Sequence, residues 1–211
     1  MIKGEIMEKN KYIWSLDLST TNVGAALWNE KGELIELKHL ELKTDKNTPV
    51  GHRDITKANV FKTYVNNLKT RMETELNGEI IEVIIEECLG GSVNSKTVAM
   101  LYEFNGICRY IIHSILNVIP IKISVHESRK LFFPEYVHPV KRKGVMVDVL
   151  SFPDEYKDNK KLCIWEKVCK LYPNIDWIYK ADGVTPKDMC FDMSDSIVVG
   201  IAGLKQLEII K

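Results

Sequence analysis

The sequence lacks most of the features that assign a protein to a class at first sight. Lys plus Arg and Asp plus Glu each number 29, so the formal net charge of zero excludes a strongly basic nucleic-acid-binding protein, although not a local basic patch. The five cysteines are odd in number and contain no C-x-x-C pair, which predicts neither a disulfide framework nor a zinc site. Free thiols indicate a reducing, cytoplasmic location. No apolar run reaches the roughly 18 residues of a membrane span, and residues 1–11 lack the apolar segment of a secretory signal.

What the sequence does contain is the composition and periodicity of a single α/β domain. Of its 211 residues, 45% are hydrophobic and 27% charged, which is a globular balance. Strands at Tyr12–Leu16, Val23–Trp28 and Glu33–Leu40, joined by tight turns, predict an antiparallel meander whose first strand is central. Further patterns predict, in order, a helix after Asp54, a strand at 82–86, a helix at 95–116, a strand at 118–125, and helices at 126–132, 161–172 and 191–209. This order predicts a mixed α/β fold.

Four acidic residues stand at positions where a surface residue is not expected. Asp17 interrupts the apolar strand IWSLDL, and Glu86 ends the apolar run VIIE. Asp192 and Asp195 open the final apolar helix and share one face of it. A charge in such surroundings costs several kcal/mol unless it is paired or binds a metal. Because parallel strands end at one edge of a sheet, we expect the four to converge around Mg²⁺, with Mn²⁺ as a substitute.

Each of these acids also has an interpretation that needs no metal. Asp192 is a possible N-cap with Asp195 in the first turn, where both favour the helix dipole. Asp17 is able to accept hydrogen bonds from the turn amides that follow it, and Glu86 to pair with a lysine. Two assignments stay open as well, because Glu87 competes with Glu86 and Asp188 with Asp192 as the ligand.

Three blocks of sequence, in order, resemble the RuvC-type Holliday-junction resolvases, in the divergent form found in bacteriophages. They are IWSLDLSTTNVGAALW, VIIEEC and FDMSDSIVVGIAG, which carry Asp17, then Glu86, then Asp192 with Asp195. The blocks span nearly the whole chain. The resemblance implies a ribonuclease-H-like fold over residues 1–211, with residues 134–160 as an insertion.

The same resemblance implies an activity and a set of partners. It implies a magnesium-dependent homodimer that nicks two strands symmetrically at a four-way DNA junction, with Asp17, Glu86, Asp192 and Asp195 as catalytic metal ligands. It also places Leu89 where the family often has an aromatic wedge near the junction centre. The cellular setting that it implies is the cytoplasm of a bacterium or an infected host cell.

A local excess of positive charge predicts the DNA-binding surface. Residues 121–143 contain six basic and two acidic residues, in a chain with no overall surplus. The residues expected to contact DNA are Arg129, Lys130, Lys141, Arg142 and Lys143, together with Leu89, and Lys160 and Lys161 extend the patch. The alternative interpretation is a solvated basic loop whose aromatic residues belong to the core.

Other functions remain compatible with the sequence. LDLSTTNVG also resembles the phosphate-binding turn of actin and heat-shock ATPases, although these need two such domains and further glycine-rich loops. A ribonuclease-H-like nuclease acting on RNA would keep the chemistry and change the substrate. The third alternative is a binding module without catalytic activity. The presence of all four acids makes this alternative less favoured.

Overall fold

A five-stranded mixed sheet forms the centre of the computed structural model, which describes residues 9–88 and 95–211. The strands are β1 (Asn10–Leu18), β2 (Asn22–Asn29), β3 (Leu34–Glu41), β4 (Gly78–Glu87) and β5 (Ile121–Ser124). Their order is β3-β2-β1-β4-β5, with β1 antiparallel to β2 and parallel to β4. The predicted meander with a central first strand is therefore confirmed. Leu89 lies outside the described residues.

Helices cover both faces of the sheet. They are α1 (Arg53–Thr74), α2 (Ser95–Leu116), α3 (Val125–Phe132), α4 (Lys160–Leu171) and α5 (Asp188–Gln206). Side chains alternate between the two faces along a strand, so Trp14 and Leu16 of β1 pack with α1 and α2. Ile13 of the same strand belongs to the second core, which contains α5. None of the helices in the described part of the chain is long and apolar enough to cross a bilayer.

Helix α5 packs directly on β1 and β2 and is itself contacted by α3 and α4. Small residues, Gly200 and Gly203, allow this close approach. A Cβ at Gly200 would overlap Ser15 and Trp28, and one at Gly203 would overlap Ile84. The helix is therefore buried almost all round from Met193 to Leu204.

Residues 134–160 contain an element that the sequence did not predict, because Pro139 and a run of basic residues obscure its alternation. Strands β6 (Val137–Arg142) and β7 (Val145–Leu150) form an antiparallel hairpin separate from the main sheet. Its turn is made by Lys143 and Gly144, which both have positive φ, at 47° and 85°. Two such residues are typical of a type I′ turn. Whether the segment is an insertion stays a prediction.

The position of α5 depends on the absence of a side chain at Gly24 of β2. A Cβ at this position would overlap the backbone carbonyl of Asp192. We expect Gly24→Ala to lower the free energy of unfolding by about 1–3 kcal/mol, because the helix must move off the sheet. Urea unfolding followed by circular dichroism measures the change.

Gly106→Ala in α2 is the matched control, since a Cβ there meets nothing within 4 Å. It should raise stability by about 0.5–1 kcal/mol through the better helix propensity of alanine. Wild-type stability in Gly24→Ala would contradict the close packing.

Candidate active site

Asp17 and Glu86 lie at the carboxyl ends of the adjacent parallel strands β1 and β4. The last paired residues before them are Leu16 and Ile85, which are register partners. Glu86 follows Ile84 by two residues and so faces the same side of the sheet as Ile13 and α5. The carboxyl groups of Asp17 and Glu86 are close enough for each to change the pKa of the other. The two strands thus bring both carboxyl groups to one edge, on the face that α5 covers.

Alternation along β4 separates Glu86 from its competitor Glu87. Glu87 faces the opposite side of the sheet, where its Oε1 accepts a hydrogen bond of 2.8 Å from Lys122 Nζ at an exposed position. Glu86 instead interacts electrostatically with Asp17 and Asp195. The structure therefore brings Glu86, and not Glu87, to the edge where Asp17 lies.

Asp192 and Asp195 complete the cluster from the second turn of α5. The helix begins at Asp188 rather than near Phe191, so the interpretation of Asp192 as an N-cap with Asp195 in the first turn is wrong. Asp188 occupies the first turn, with its side chain 90% exposed and 3.5 Å from Lys180. Its charge contributes to the raised pKa of Asp192 one turn later, but its carboxylate is open to solvent, whereas Asp195 is only 6% exposed.

A buried serine fixes the register between α5 and β1. The Ser15 hydroxyl is fully buried and lies 2.8 Å from the backbone carbonyl oxygen of Ser196, to which it donates. It also accepts a hydrogen bond of 2.8 Å from the indole Nε1 of Trp28. Because Ser15 is two residues from Asp17 and Ser196 adjoins Asp195, this contact sets the two carboxyl groups beside each other.

The turn after β1 does not need the Asp17 carboxylate. Ser19 Oγ accepts from the backbone N–H groups of Thr21 at 3.3 Å and Asn22 at 2.9 Å. Ser19 is therefore the residue that satisfies this turn, and Asp17 remains directed to the cluster.

Burial raises the pKa of all four carboxyl groups. The pKa of Glu86 rises to about 7, first through desolvation and then through repulsion from Asp195. The pKa of Asp17 is raised well above its ordinary value by desolvation and by the negative charges of Glu86, Asp195 and Asp192. The cluster therefore holds more negative charge than its surroundings compensate.

Two basic side chains offset part of this charge. Lys161 Nζ of α4 lies 3.9 Å from a carboxylate oxygen of Asp192 and 3.9 Å from one of Asp195. Arg129 of α3, which the sequence assigned to the DNA-binding patch, has its Nη2 4.0 Å from Asp195 Oδ1. Both lower the pKa of Glu86 against the effect of burial. Arg129 is thus part of the acidic cluster rather than of a separate surface.

His39 is a member of the cluster that the sequence did not indicate. Its Nε2 lies 3.5 Å from Asp192 Oδ2, with the histidine side chain 10% exposed. In the sheet, His39 of β3 is the register partner of Gly24, which is in turn the partner of Asp17. The alternation of β3 is the signal that predicts this position, once the strand order is known.

The donor set fits a hard divalent cation. Carboxylate oxygens are the ligands that Mg²⁺ and Mn²⁺ prefer, and here they are crowded and partly desolvated. Within residues 9–88 and 95–211, however, no three His, Cys, Asp or Glu side chains are already arranged around a single ion position. Lys161, which lies 3.9 Å from a carboxylate oxygen of Asp192 and of Asp195, would have to give way to an ion bound by these two residues.

In the described part of the chain, the other basic residues predicted to contact DNA form no ion pair with the four acids. Lys130 is half-buried on α3, next to Arg129. Lys141, Arg142 and Lys143 are exposed at the end of the β6–β7 hairpin.

Comparison with solved structures supports a RuvC-like fold. The structure of T. thermophilus RuvC in complex with Holliday junction substrate has a TM-score of 0.56 at 8% identity, covering 95% of this chain and 98% of that chain. A second Thermus thermophilus RuvC structure has a TM-score of 0.52 at 9% identity, with the same coverage of 95% and 98%. These neighbours confirm the predicted ribonuclease-H-like mixed sheet flanked by helices. Neither the family models nor the curated protein sequences match the chain.

A weaker structural match is ethanolamine utilization protein EutJ from Carboxydothermus hydrogenoformans. It has a TM-score of 0.42 at 11% identity, covering 90% of this chain and 89% of that chain. This score is too low to indicate a shared fold.

The raised pKa of Glu86 makes the stability of the metal-free protein depend on pH. The pKa rises from 4.5 to about 7 on folding, so between these values the folded protein binds more protons than the unfolded one. Its free energy of unfolding therefore falls, through this group, as the pH rises from about 4.5 to about 7. Glu86→Gln should flatten the dependence, which denaturant unfolding in EDTA at several pH values measures.

Glu87→Gln is the matched control, because it removes a neighbouring carboxylate that faces the other side of the sheet. It should retain the wild-type pH dependence. An unchanged profile in Glu86→Gln would show that this group is not the source.

Proposed function

We propose that the protein is a divalent-metal-dependent endonuclease that resolves four-way DNA junctions, with Asp17, Glu86, Asp192 and Asp195 as its metal ligands. The observation that carries the proposal is the convergence of these carboxyl groups at one sheet edge, where burial raises the pKa of each. A cluster of this kind is stabilised by divalent cations, of which Mg²⁺ is the expected one and Mn²⁺ a substitute.

The division of roles follows from the surroundings of each side chain. When bound, divalent ions supply Lewis-acid stabilisation of a phosphodiester and activation of water. Asp17 and Glu86 contribute oxygen ligands from rigid strands, and Asp192 and Asp195 contribute theirs from the buried helix α5. Such rigid elements hold ligands more accurately than loops do.

Two basic residues of the cluster have a second role in this proposal. Lys161 has a side chain that is 54% exposed, so it is able to move from the carboxylates to a phosphate of the substrate. Arg129 is 23% exposed and lies deeper, where it limits repulsion between the acids and DNA. Lys130, Lys141, Arg142 and Lys143 are proposed as further DNA contacts.

The four-way junction is the substrate that the structural likeness favours. The fold resembles that of T. thermophilus RuvC, which was determined in complex with Holliday junction substrate. Paired nicks in two strands need two active sites, so we propose a homodimer. Tyr102 and Tyr110 of helix α2 are 47% and 72% exposed, and we propose them as part of the contact between the two copies. The reduced thiols and a DNA substrate suit the cytoplasm of a bacterium or an infected host cell.

Cleavage assays on defined substrates test the proposal. Wild-type protein with Mg²⁺ should nick four-way DNA in a paired, symmetric manner, and more efficiently than Y-shaped or linear DNA. EDTA should abolish the reaction. Asp17→Asn should reduce the rate by about 100-fold or more, because a metal ligand contributes several kcal/mol to the transition state.

Asp188→Asn is the matched control, since it removes an exposed carboxylate of the same helix that pairs with Lys180 and is not a proposed metal ligand. It should keep the wild-type rate. Preferential cleavage of an RNA–DNA hybrid would instead indicate a ribonuclease H activity, and ATP turnover without nicking would indicate an ATPase. Either result would overturn the proposed function.

A further inference from the structure

The β6–β7 hairpin, Val137–Leu150, is a ribbon that projects from the domain. Every residue from Lys141 to Asp148 is exposed, whereas Val137, Val149 and Leu150 at its base are partly buried. It forms a separate two-stranded sheet, so no neighbouring strand within the described residues covers its edges. A lone two-stranded ribbon is marginally stable in water, which favours a role in which a partner covers it.

Aromatic packing fixes the base of this ribbon to the domain. Phe133 and Tyr136 stack with ring centroids 5.3 Å apart, and Phe152 packs against Phe133 at 5.2 Å. The backbone N–H of Ser151 donates to the carbonyl of Tyr136 at 3.0 Å, just beyond the ends of the two strands. The aromatic residues of this stretch thus serve the core, and the ribbon leaves it from a defined position on the face that carries α3, α4 and α5.

The end of the ribbon concentrates positive charge. Lys141, Arg142 and Lys143 are consecutive and exposed, and their side chains make no hydrogen bond or ion pair with another described residue. Asp148 is the single acidic residue of the ribbon. Three adjacent cations repel one another, and a polyanion relieves that repulsion.

Apolar side chains stand beside these charges. Val145 is 63% exposed and Met146 59% exposed, and they are register partners of Arg142 and Lys141. Each pair shares one face of the ribbon, so both faces near the turn present a basic side chain next to an apolar one. Solvent alone does not favour this arrangement, because the apolar residues gain nothing from exposure.

Duplex DNA matches both features at once. The major groove, about 12 Å wide, admits a two-stranded β-ribbon, with phosphates along its rims and base edges on its floor. Basic side chains suit the rims, and apolar ones contact the methyl group of thymine. A second copy of the chain fits less well, because two ribbons packed tip to tip would bring six like charges together, and exposed edge lysines disfavour strand pairing between chains.

We propose that the tip of the β6–β7 ribbon enters the major groove of a duplex arm, with Lys141, Arg142 and Lys143 on its phosphates and the apolar side chain that faces the groove floor, Val145 or Met146, against base edges. This inference rests on the proposed function and names the part of the chain that holds an arm of the branched substrate. It requires no metal ion, so it is tested separately from cleavage.

Binding of a four-way junction in EDTA, measured at several salt concentrations, tests the phosphate contacts. The variant is Lys141→Gln, Arg142→Gln and Lys143→Asn combined, with asparagine chosen because Lys143 has a positive φ. The slope of log K against log salt should become shallower by about 3, since each phosphate that is no longer neutralised changes the slope by about one. An unchanged slope would overturn the proposal.

A charge-matched control removes three lysines from the opposite face of the sheet. Lys57, Lys62 and Lys69 lie on α1, which packs against the side of the sheet opposite to α5. Their combined replacement by Gln should leave the slope at its wild-type value. Should the ribbon variant unfold at a lower temperature than wild type, the double variant Lys141→Gln with Arg142→Gln keeps the turn intact and should shift the slope by about 2.

Val145→Ser combined with Met146→Ser tests the base contacts. Wild-type protein should protect guanine N7, a major-groove atom, from methylation in one arm of the junction. The serine variant should lose this protection while keeping the salt slope. Protection equal to that of wild type, or none in wild type itself, would overturn the groove assignment.

Three outcomes separate this inference from the proposed function. A shallower salt slope in the ribbon variant, without cleavage by wild type, would support DNA binding by the ribbon and contradict the proposed nuclease activity. Cleavage by wild type with an unchanged slope in the variant would support the nuclease activity and contradict DNA binding by the ribbon. A change from dimer to monomer in the ribbon variant, seen by sedimentation, would identify a second copy as the occupant and overturn the DNA assignment.

Discussion

The close docking of α5 on the sheet is the constraint from which the rest of the site follows. Gly24 leaves room for the backbone of Asp192, and the buried Ser15 hydroxyl binds the carbonyl of Ser196. With the helix held in this way, Asp192 and Asp195 face the ends of β1 and β4. Four carboxyl groups then share a region in which water no longer separates their charges, and the pKa of each rises. Favourable packing of α5 on the sheet thus brings carboxylates together in a desolvated region, where a cation is needed to offset their negative charge.

Two kinds of cation are able to meet that need. The chain supplies its own in Lys161 and Arg129, and His39 lies beside Asp192 from the edge of the sheet. Divalent ions are the alternative, and they suit the oxygen donors better because each carries twice the charge. The exposed Lys161 is the residue best placed to give way. In this account the basic side chains keep the metal-free cluster compatible with folding, and they become free to contact phosphates when ions bind.

The sheet and the convergence of the four acids could be predicted because strands and misplaced acidic residues are both visible in short stretches of sequence. An acidic residue that interrupts a strand or a helix of apolar residues is visible without a structure, as at Asp17 and Asp195. The choice between Glu86 and Glu87 depends on which side of the sheet each residue of β4 faces. That is known only from the structure, in which Ile84 packs in the core with α5 and Ile85 packs in the opposite core. His39 was missed because β3 is a half-exposed edge strand, and its neighbour Asp192 lies near the other end of the chain. The ribbon was missed because Pro139 and the basic residues at 141–143 obscure the alternation of its strands.

Crystals soaked in Mn²⁺ would reveal whether the four carboxyl groups hold metal, since anomalous scattering locates the ion without any assay of activity. We expect anomalous peaks bounded by the carboxyl groups of Asp17, Glu86, Asp192 and Asp195, with Lys161 displaced from its position between the two helix residues. Peaks only at other carboxylates, or no peak while Lys161 keeps both of its contacts, would contradict it.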